Sequence, residues 1–152
     1  MSANATLPPI RILVIDDEKA FTRLLKKSIE SLGPYLVQEQ NDPRGAIASV
    51  KSFHPDIILV DIVMPNMDGG DVVAAFKADP AIKDIPIVYL TATVTSSEVT
   101  SNDGVIGGHR FLAKPVNSEV LRRYIDQIVG QRRMQAAAPS HKSAGVDAQA
   151  TP

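Results

Sequence analysis

The chain has 152 residues, 22% charged and 44% hydrophobic, with a formal net charge of −1; this fits one soluble globular domain and gives no general attraction to nucleic acid or anionic membrane. It contains no cysteine, which excludes a disulfide framework, a thiolate zinc site and a thiol nucleophile, and which suits the cytoplasm. The start of the chain lacks the basic and apolar regions of a signal peptide, and no apolar run approaches the roughly 18 residues that span a bilayer.

Met1–Pro9 is polar, closes on Pro8-Pro9 and reads as a flexible arm. Ile10–Ile15 is an apolar first strand that stops at Asp16-Asp17-Glu18. A helix is predicted over Lys19–Leu32, with Phe21, Leu24, Leu25, Ile29 and Leu32 at helical spacing and Gly33-Pro34 as its stop. Tyr35–Gln40 is a strand of weaker apolar content, as expected at a sheet edge. Asn41-Asp42-Pro43 opens a second helix whose buried face is Ala46, Ile47, Val50 and Phe53, and His54-Pro55 breaks it.

Ile57–Val60 then runs without a polar break and ends on Asp61. Such a run, rich in Ile and Val, reads as a strand buried on both faces. Pro65 and Asp68-Gly69 end it with turn chemistry. A third helix follows from about Asp68 to Ala78, with Val72, Val73 and Phe76 inward. Ile85–Leu90 is the fourth strand and leads to Thr91-Ala92-Thr93. Val94–Gly108 carries Gly104, Gly107 and Gly108 and the poorest helical signal, so a fourth helix there is expected to be short or mobile. Arg110–Leu112 is a short fifth strand before Lys114-Pro115. Asn117 or Ser118 can cap a last helix whose apolar face is Val120, Leu121, Tyr124, Ile125, Ile128 and Val129. Strands alternating with helices predict an α/β fold, a parallel sheet with helices on both faces.

Parallel strands point the same way, so their carboxyl ends converge where open α/β sheets bind ligands. Those ends carry Asp16, Asp17, Asp61, Thr91 and Lys114. Three close carboxylates repel one another unless a cation sits among them. An all-oxygen ligand set suits a hard ion, and Mg²⁺ uses few carboxylates together with water and phosphate oxygens. Lys114 is placed to hold phosphoryl oxygens by charge, Thr91 can donate a hydroxyl hydrogen bond, and aspartate is a nucleophile for phosphoryl transfer. Each residue alone has a plainer reading: Asp16-Asp17-Glu18 also suits a helix N-terminus, Asp61 a loop cap, Thr91 a turn and Lys114 a solvated charge. The combination in one order and spacing favours a site. His54 and His109 show no metal-pair spacing, Arg122-Arg123 and Arg132-Arg133 are short pairs rather than a basic stripe, and Gly104–Gly108 matches no phosphate-loop pattern.

Asp16-Asp17, Asp61 with Met64-Pro65 and Asp68-Gly69, Thr91-Ala92, and Phe111-Leu112-Ala113-Lys114-Pro115 together resemble the receiver domain of two-component response regulators. The resemblance covers Ile10 to Arg133. It implies a flavodoxin-like, doubly wound (βα)5 fold with a five-stranded parallel sheet in the order 2-1-3-4-5. It implies that Asp61 is the phosphoacceptor, supplied by a histidine kinase or a histidine phosphotransfer protein. Asp17, Asp61 and the backbone carbonyl of Val63 would hold Mg²⁺, with Asp16 acting largely through water. Thr91 and Lys114 would contact the phosphoryl group, Thr91 and Phe111 would form the switch, and the Lys114–Pro115 bond would be cis.

Val63 departs from the commoner pattern, in which a polar residue stands two places after the phosphoacceptor. Without a side-chain donor there, a hydrolytic water is harder to position and slow autodephosphorylation is expected. The implied function is a phosphorylation-controlled interaction module with no enzymatic activity beyond its own phosphorylation and dephosphorylation. An unknown output protein would dock on the face formed by the fourth helix, fifth strand and last helix, and a phosphorylation-dependent dimer is a further expected state. Direct contact with nucleic acid or membrane is not expected. Domain bounds are read as an arm over 1–9, a receiver over 10–133 and a low-complexity tail or linker over 134–152, the last too poor in large apolar residues to order itself. A receiver belonging to a larger multidomain regulator or hybrid kinase stays open as an alternative. An Asp-nucleophile phosphatase is disfavoured because Val63 stands where its acid/base Asp belongs, and a phosphorylation-independent receiver is disfavoured by the complete acidic and basic set.

Overall fold

β1 (Ile10–Ile15) and β3 (Ile57–Asp61) lie side by side at the centre of the sheet, and Ile12–Ile15 and Ile57–Val60 are wholly buried. Hydrocarbon on both sides of a strand requires cover on both faces of the sheet, and successive residues supply it alternately. Ile12, Val14, Ile57 and Leu59 pack with α1 (Lys19–Glu30) and with the last helix, α4 (Ser118–Ala137). Leu13, Ile15, Ile58 and Val60 pack with α2 (Ala46–Phe53) and α3 (Gly69–Lys77) on the opposite face. The structure, a computed structural model, describes residues 7–65, 67–92, 105–106 and 109–137.

The remaining strands are β2 (Tyr35–Gln40), β4 (Ile87–Thr91), β5 (Val105–Ile106) and β6 (His109–Ala113), and the sheet order is β2-β1-β3-β4-β6-β5. The pairings from β2 through β6 are all parallel, which gives the five-stranded parallel order expected. Chain order reverses at β1 and β3, so the crevice outside their carboxyl ends is the topological switch point.

Several local features differ from the sequence reading. β5 is an addition: Val105 and Ile106 pair antiparallel with Arg110 and His109 within a stretch read as weakly helical. Two β-branched residues suit a strand, but two are too few for a periodic signal. The rest of Val94–Gly108, and the expected fourth helix with it, lies outside the described residues. Leu24 is 66% exposed rather than inward; the helical period lines up Phe21, Leu25, Ile29 and Leu32 and leaves Leu24 off that stripe. β4 begins at Ile87 because Ile85 N–H still donates to Ile82 O of the preceding turn and Pro86 has no N–H to offer. Pro43–Gly45 forms a 3₁₀ turn before α2, with the Asp42 side chain accepting from Arg44 N–H.

The helix ends follow from capping. Asp68 accepts from Asp71 N–H at 2.9 Å to start α3. Asn117 accepts from the N–H groups of Glu119 and Val120 to start α4. His54 closes α2 in the left-handed conformation at φ 55°. No helix among the described residues is long and apolar enough to cross a membrane.

Candidate functional site

β1 and β3 each run out of hydrocarbon at the same level. Asp16 follows β1 and is fully buried; Asp61 is the last residue of β3 and nearly so; Asp17 is half-buried between them and solvent. One oxygen from each of Asp16, Asp17 and Asp61 lies within 4.8 Å of the others. Lys114, carried from the end of β6, places its Nζ 2.6 Å from Asp16 Oδ2 and 3.5 Å from Asp61 Oδ2, with the ammonium side chain 14% exposed. The Phe21 ring lies 4.4 Å from that ammonium and covers it with a π face.

The electrostatics follow from this crowding. Burial and then the neighbouring Asp16 charge push the Asp61 carboxyl above its ordinary range, against the pull of Lys114 and of the Val63 N–H. Burial alone would lower the Lys114 ammonium. The hydrogen bond to Asp16 and the charges of Asp16, Asp61 and Glu18 more than reverse that, and Lys114 is held above its usual value. One ammonium therefore faces more negative charge than it can balance. The three carboxylates offer oxygen donors alone, close enough to share one small hard cation, which is the donor chemistry Mg²⁺ requires.

Backbone packing holds the loop after β3 against the site. Gly69 N–H donates to Ile62 O at 2.7 Å. A Cβ on Gly69 would come within 2.5 Å of the Asp61 carbonyl oxygen, so only glycine permits this approach. Val63 N–H reaches Asp61 Oδ1 at 3.4 Å, and Val63 is 63% exposed. Thr91, at the end of β4, is fully buried, and its carbonyl accepts from Lys114 N–H at 2.9 Å. The Lys114–Pro115 bond is cis. Phe111 is half-buried and stacks on Tyr89 with ring centroids 5.2 Å apart, and His109 meets the same Tyr89 edge-on. Asp16, Asp17, Asp61 and Lys114 are thus in one cluster, with Thr91 joined through its backbone and Phe111 one strand over on Tyr89.

Sequence reasoning missed the support beneath Asp16. Asn41, past the end of β2, donates from Nδ2 to Asp16 O at 2.8 Å and to Thr22 Oγ1 at 3.0 Å. Thr22, buried inside α1, donates to Glu39 at 2.7 Å. These residues fix the backbone that carries the acidic pair. A buried threonine on the apolar side of a helix is the one sequence signal that could have pointed to them. His54 is exposed at a helix end, as the sequence suggests. Arg133 is not simply solvated: it pairs with Asp56 at 3.5 Å and donates to the carbonyls of Pro8 and Pro9.

A doubly wound sheet with an acidic cluster and a lysine at its switch point defines a receiver, and the chain belongs to the response regulator receiver domain family of two-component systems. The family model described as "Response regulator receiver domain" matches residues 12–126. The chain is 29% identical over 121 residues to chemotaxis protein CheY of Pseudomonas aeruginosa, covering 78% of this chain and 95% of that one. It is 36% identical over 114 residues to response regulator MprA of Mycolicibacterium vanbaalenii, covering 74% of this chain but 47% of MprA. Among solved structures it resembles chemotaxis protein CheY4 of Vibrio cholerae, with a TM-score of 0.66 and 27% identity, covering 79% of this chain and 98% of CheY4. The chain therefore spans nearly all of one relative and about half of another. Receiver domains bind Mg²⁺ at an acidic cluster, and the Asp16, Asp17 and Asp61 group fits both that ion and aspartyl phosphorylation.

Proposed function

We propose that Asp61 is the phosphoacceptor of this receiver and takes its phosphoryl group from a histidine kinase or a histidine phosphotransfer protein. The observation that carries the reading is the pairing of a buried, charge-crowded Asp61 with Lys114 and with two further carboxylates within 4.8 Å. An Asp61 carboxylate oxygen attacks phosphorus, the new O–P bond forms, and the bond to the donor nitrogen breaks with its electron pair staying on the imidazole. Asp16, Asp17, Asp61 and the Val63 carbonyl would hold Mg²⁺, Asp16 largely through water. When bound, the ion neutralises phosphoryl charge and orients the group for in-line transfer. Lys114 exchanges part of its contact with Asp16 for a phosphoryl oxygen, and the Thr91 hydroxyl donates to another.

Movement of Thr91 toward the phosphoryl group then shifts Phe111 and the surface of β6 and α4, where an output protein or a second copy of the chain would dock. The domain acts in the cytoplasm, without direct contact to nucleic acid or membrane, and performs no catalysis beyond its own phosphorylation and dephosphorylation.

Intact-mass analysis after incubation with acetyl phosphate and Mg²⁺ tests this. One added phosphoryl group is expected in the wild type, none in Asp61→Asn, and none with chelator. A mass gain that persists in Asp61→Asn would move the acceptor elsewhere, and steady turnover of phosphomonoesters would instead indicate a hydrolase.

A further inference from the structure

Glu18 stands at the N-cap of α1, yet its side chain makes no capping hydrogen bond. Its N–H donates to Asp16 Oδ1 at 2.9 Å, which turns the residue back toward the site. Its carboxylate lies 3.7 Å from Lys114 Nζ, the same ammonium that Asp16 and Asp61 share, and the Glu18 side chain is 67% exposed where those of Asp16 and Asp61 are 0% and 8%. Of the three carboxylates paired with Lys114, Glu18 is thus the one that faces solvent. Val63, 63% exposed beside Asp61, adds no charge to the mouth. The Glu18 carboxylate therefore stands on the solvent side of the ammonium that the buried pair shares.

We propose that Glu18 is a specificity-determining residue that sets which phosphodonors Asp61 accepts, by their charge. This rests on the assignment of Asp61 as the phosphoacceptor. Glu18 competes with the incoming phosphoryl oxygens for Lys114 and repels them, so each additional negative charge on the donor slows transfer. The site is thereby biased against small, highly charged acyl phosphates and toward donors that carry less charge at the reacting group.

Two small donors separate this effect from a general loss of activity. With acetyl phosphate, Asp61 oxygen attacks phosphorus, the P–O bond to the acyl group breaks, and acetate leaves with the electron pair. With phosphoramidate the P–N bond breaks and ammonia leaves with its proton already on nitrogen. Phosphoramidate carries about one negative charge fewer near neutral pH, so the ratio of the two rate constants reports on charge at the mouth.

The rates are measured on the full chain with Mg²⁺ for wild type, Glu18→Gln, Glu18→Lys and Asp61→Asn. A unit charge some way across a partly solvated mouth is worth a rate factor of about three to ten at low salt. Glu18→Gln is expected to raise the acetyl phosphate rate by that factor, to raise the phosphoramidate rate less, and to lose most of its advantage in high salt. Glu18→Lys should extend the same trend. An unchanged ratio of rates in Glu18→Gln and Glu18→Lys, with wild type labelled and Asp61→Asn not, overturns the role of Glu18 and leaves the acceptor assignment standing. Absence of labelling in the wild type with both donors, or labelling that survives Asp61→Asn, overturns both.

Discussion

Charged side chains are arranged in opposite ways at the outer edge of β2 and at the carboxyl ends of β1 and β3. At the β2 edge, Lys26 and Glu30 stand one turn apart on α1, 3.0 Å from each other. Lys26 Nζ donates to Val37 O at 2.6 Å, and Glu30 Oε2 accepts from Val37 N–H at 2.8 Å. One cation, one anion, one donor and one acceptor close into a ring, and the outward N–H and C=O of Val37 are taken at an edge to which another strand could add. At the proposed site, Lys114 is the one cation among the described residues that pairs with Asp16, Asp61 and Glu18, and Asp17 lies in the same acidic cluster. The first arrangement is complete by itself. The second carries a surplus of negative charge that a folded protein gains nothing by keeping, unless a cation or a reacting group uses it.

This contrast predicts opposite signs for neutralising substitutions. At the edge, Glu30→Ala leaves the Val37 N–H and Lys26 without their partner. It is expected to lower unfolding stability by about 1.5 kcal/mol, at the low end for hydrogen bonds to a charged group because the pair is partly solvated. Burial raises the Glu30 carboxyl, but the Val37 N–H and Lys26 outweigh it and hold the group below its ordinary value of 4.5. A depressed folded-state value means that stability from ionised Glu30 is present above pH 4.5 and fades as pH falls through the lower folded-state value. Denaturant melts of wild type and Glu30→Gln should therefore converge on acidification. A gap that widens below pH 4.5 would contradict the clamp.

At the site the expected sign reverses. Asp61→Asn removes one member of a crowded anionic group whose carboxyl is already pushed toward its neutral form by burial and Asp16. In chelator the variant should be more stable than wild type, on the order of 1 kcal/mol, as for substitutions that relieve strain at functional sites. Mg²⁺ should then raise the wild-type Tm more than that of the variant, because a ligand of the folded state adds stability that grows with the logarithm of its concentration over Kd. Thermal melts with and without Mg²⁺ read both effects. A destabilised Asp61→Asn in chelator would mean that the cluster is balanced by contacts other than those with Lys114.

What could be read in advance divides along the same line. Ile12–Ile15 and Ile57–Val60 announce buried central strands because an apolar run bounded by acids and prolines has few other uses, and Asp16, Asp17, Asp61, Thr91 and Lys114 follow once the strands are known to be parallel. Pairings across the chain left no such trace. Thr22 meets Glu39 and Asn41 at separations of 17 and 19 residues, and each is an ordinary polar residue in its own segment. The clamp was not singled out either: Lys26 and Glu30 stand four residues apart like many surface pairs, and nothing in the sequence shows that Val37 completes it. Glu18 reads as a helix-start acid, and only its turn toward Lys114 separates it from the many that cap. Leu24 shows the converse, an apolar residue near the helical period that the stripe did not need.

Val63 makes the smallest of the expected differences and tests the site from its uncharged side. The residue is exposed next to Asp61, to which it offers a backbone N–H at 3.4 Å and no side-chain donor. Hydrolysis of an aspartyl phosphate needs a water held in line with the bond that breaks, and a hydrocarbon side chain gives that water nothing to bond to. Val63→Asn adds an amide at an exposed position, so the fold should be little affected. The phosphorylated variant is expected to decay about threefold faster than wild type, a change of roughly 0.7 kcal/mol in the barrier. Phosphorylated protein freed of donor and followed by intact mass measures the decay directly. Equal lifetimes would mean that access of water to Asp61 is set by Lys114 and the buried carboxylates rather than by the side chain at the mouth, and the surplus charge of the cluster would then govern both the making and the loss of the phosphoryl group.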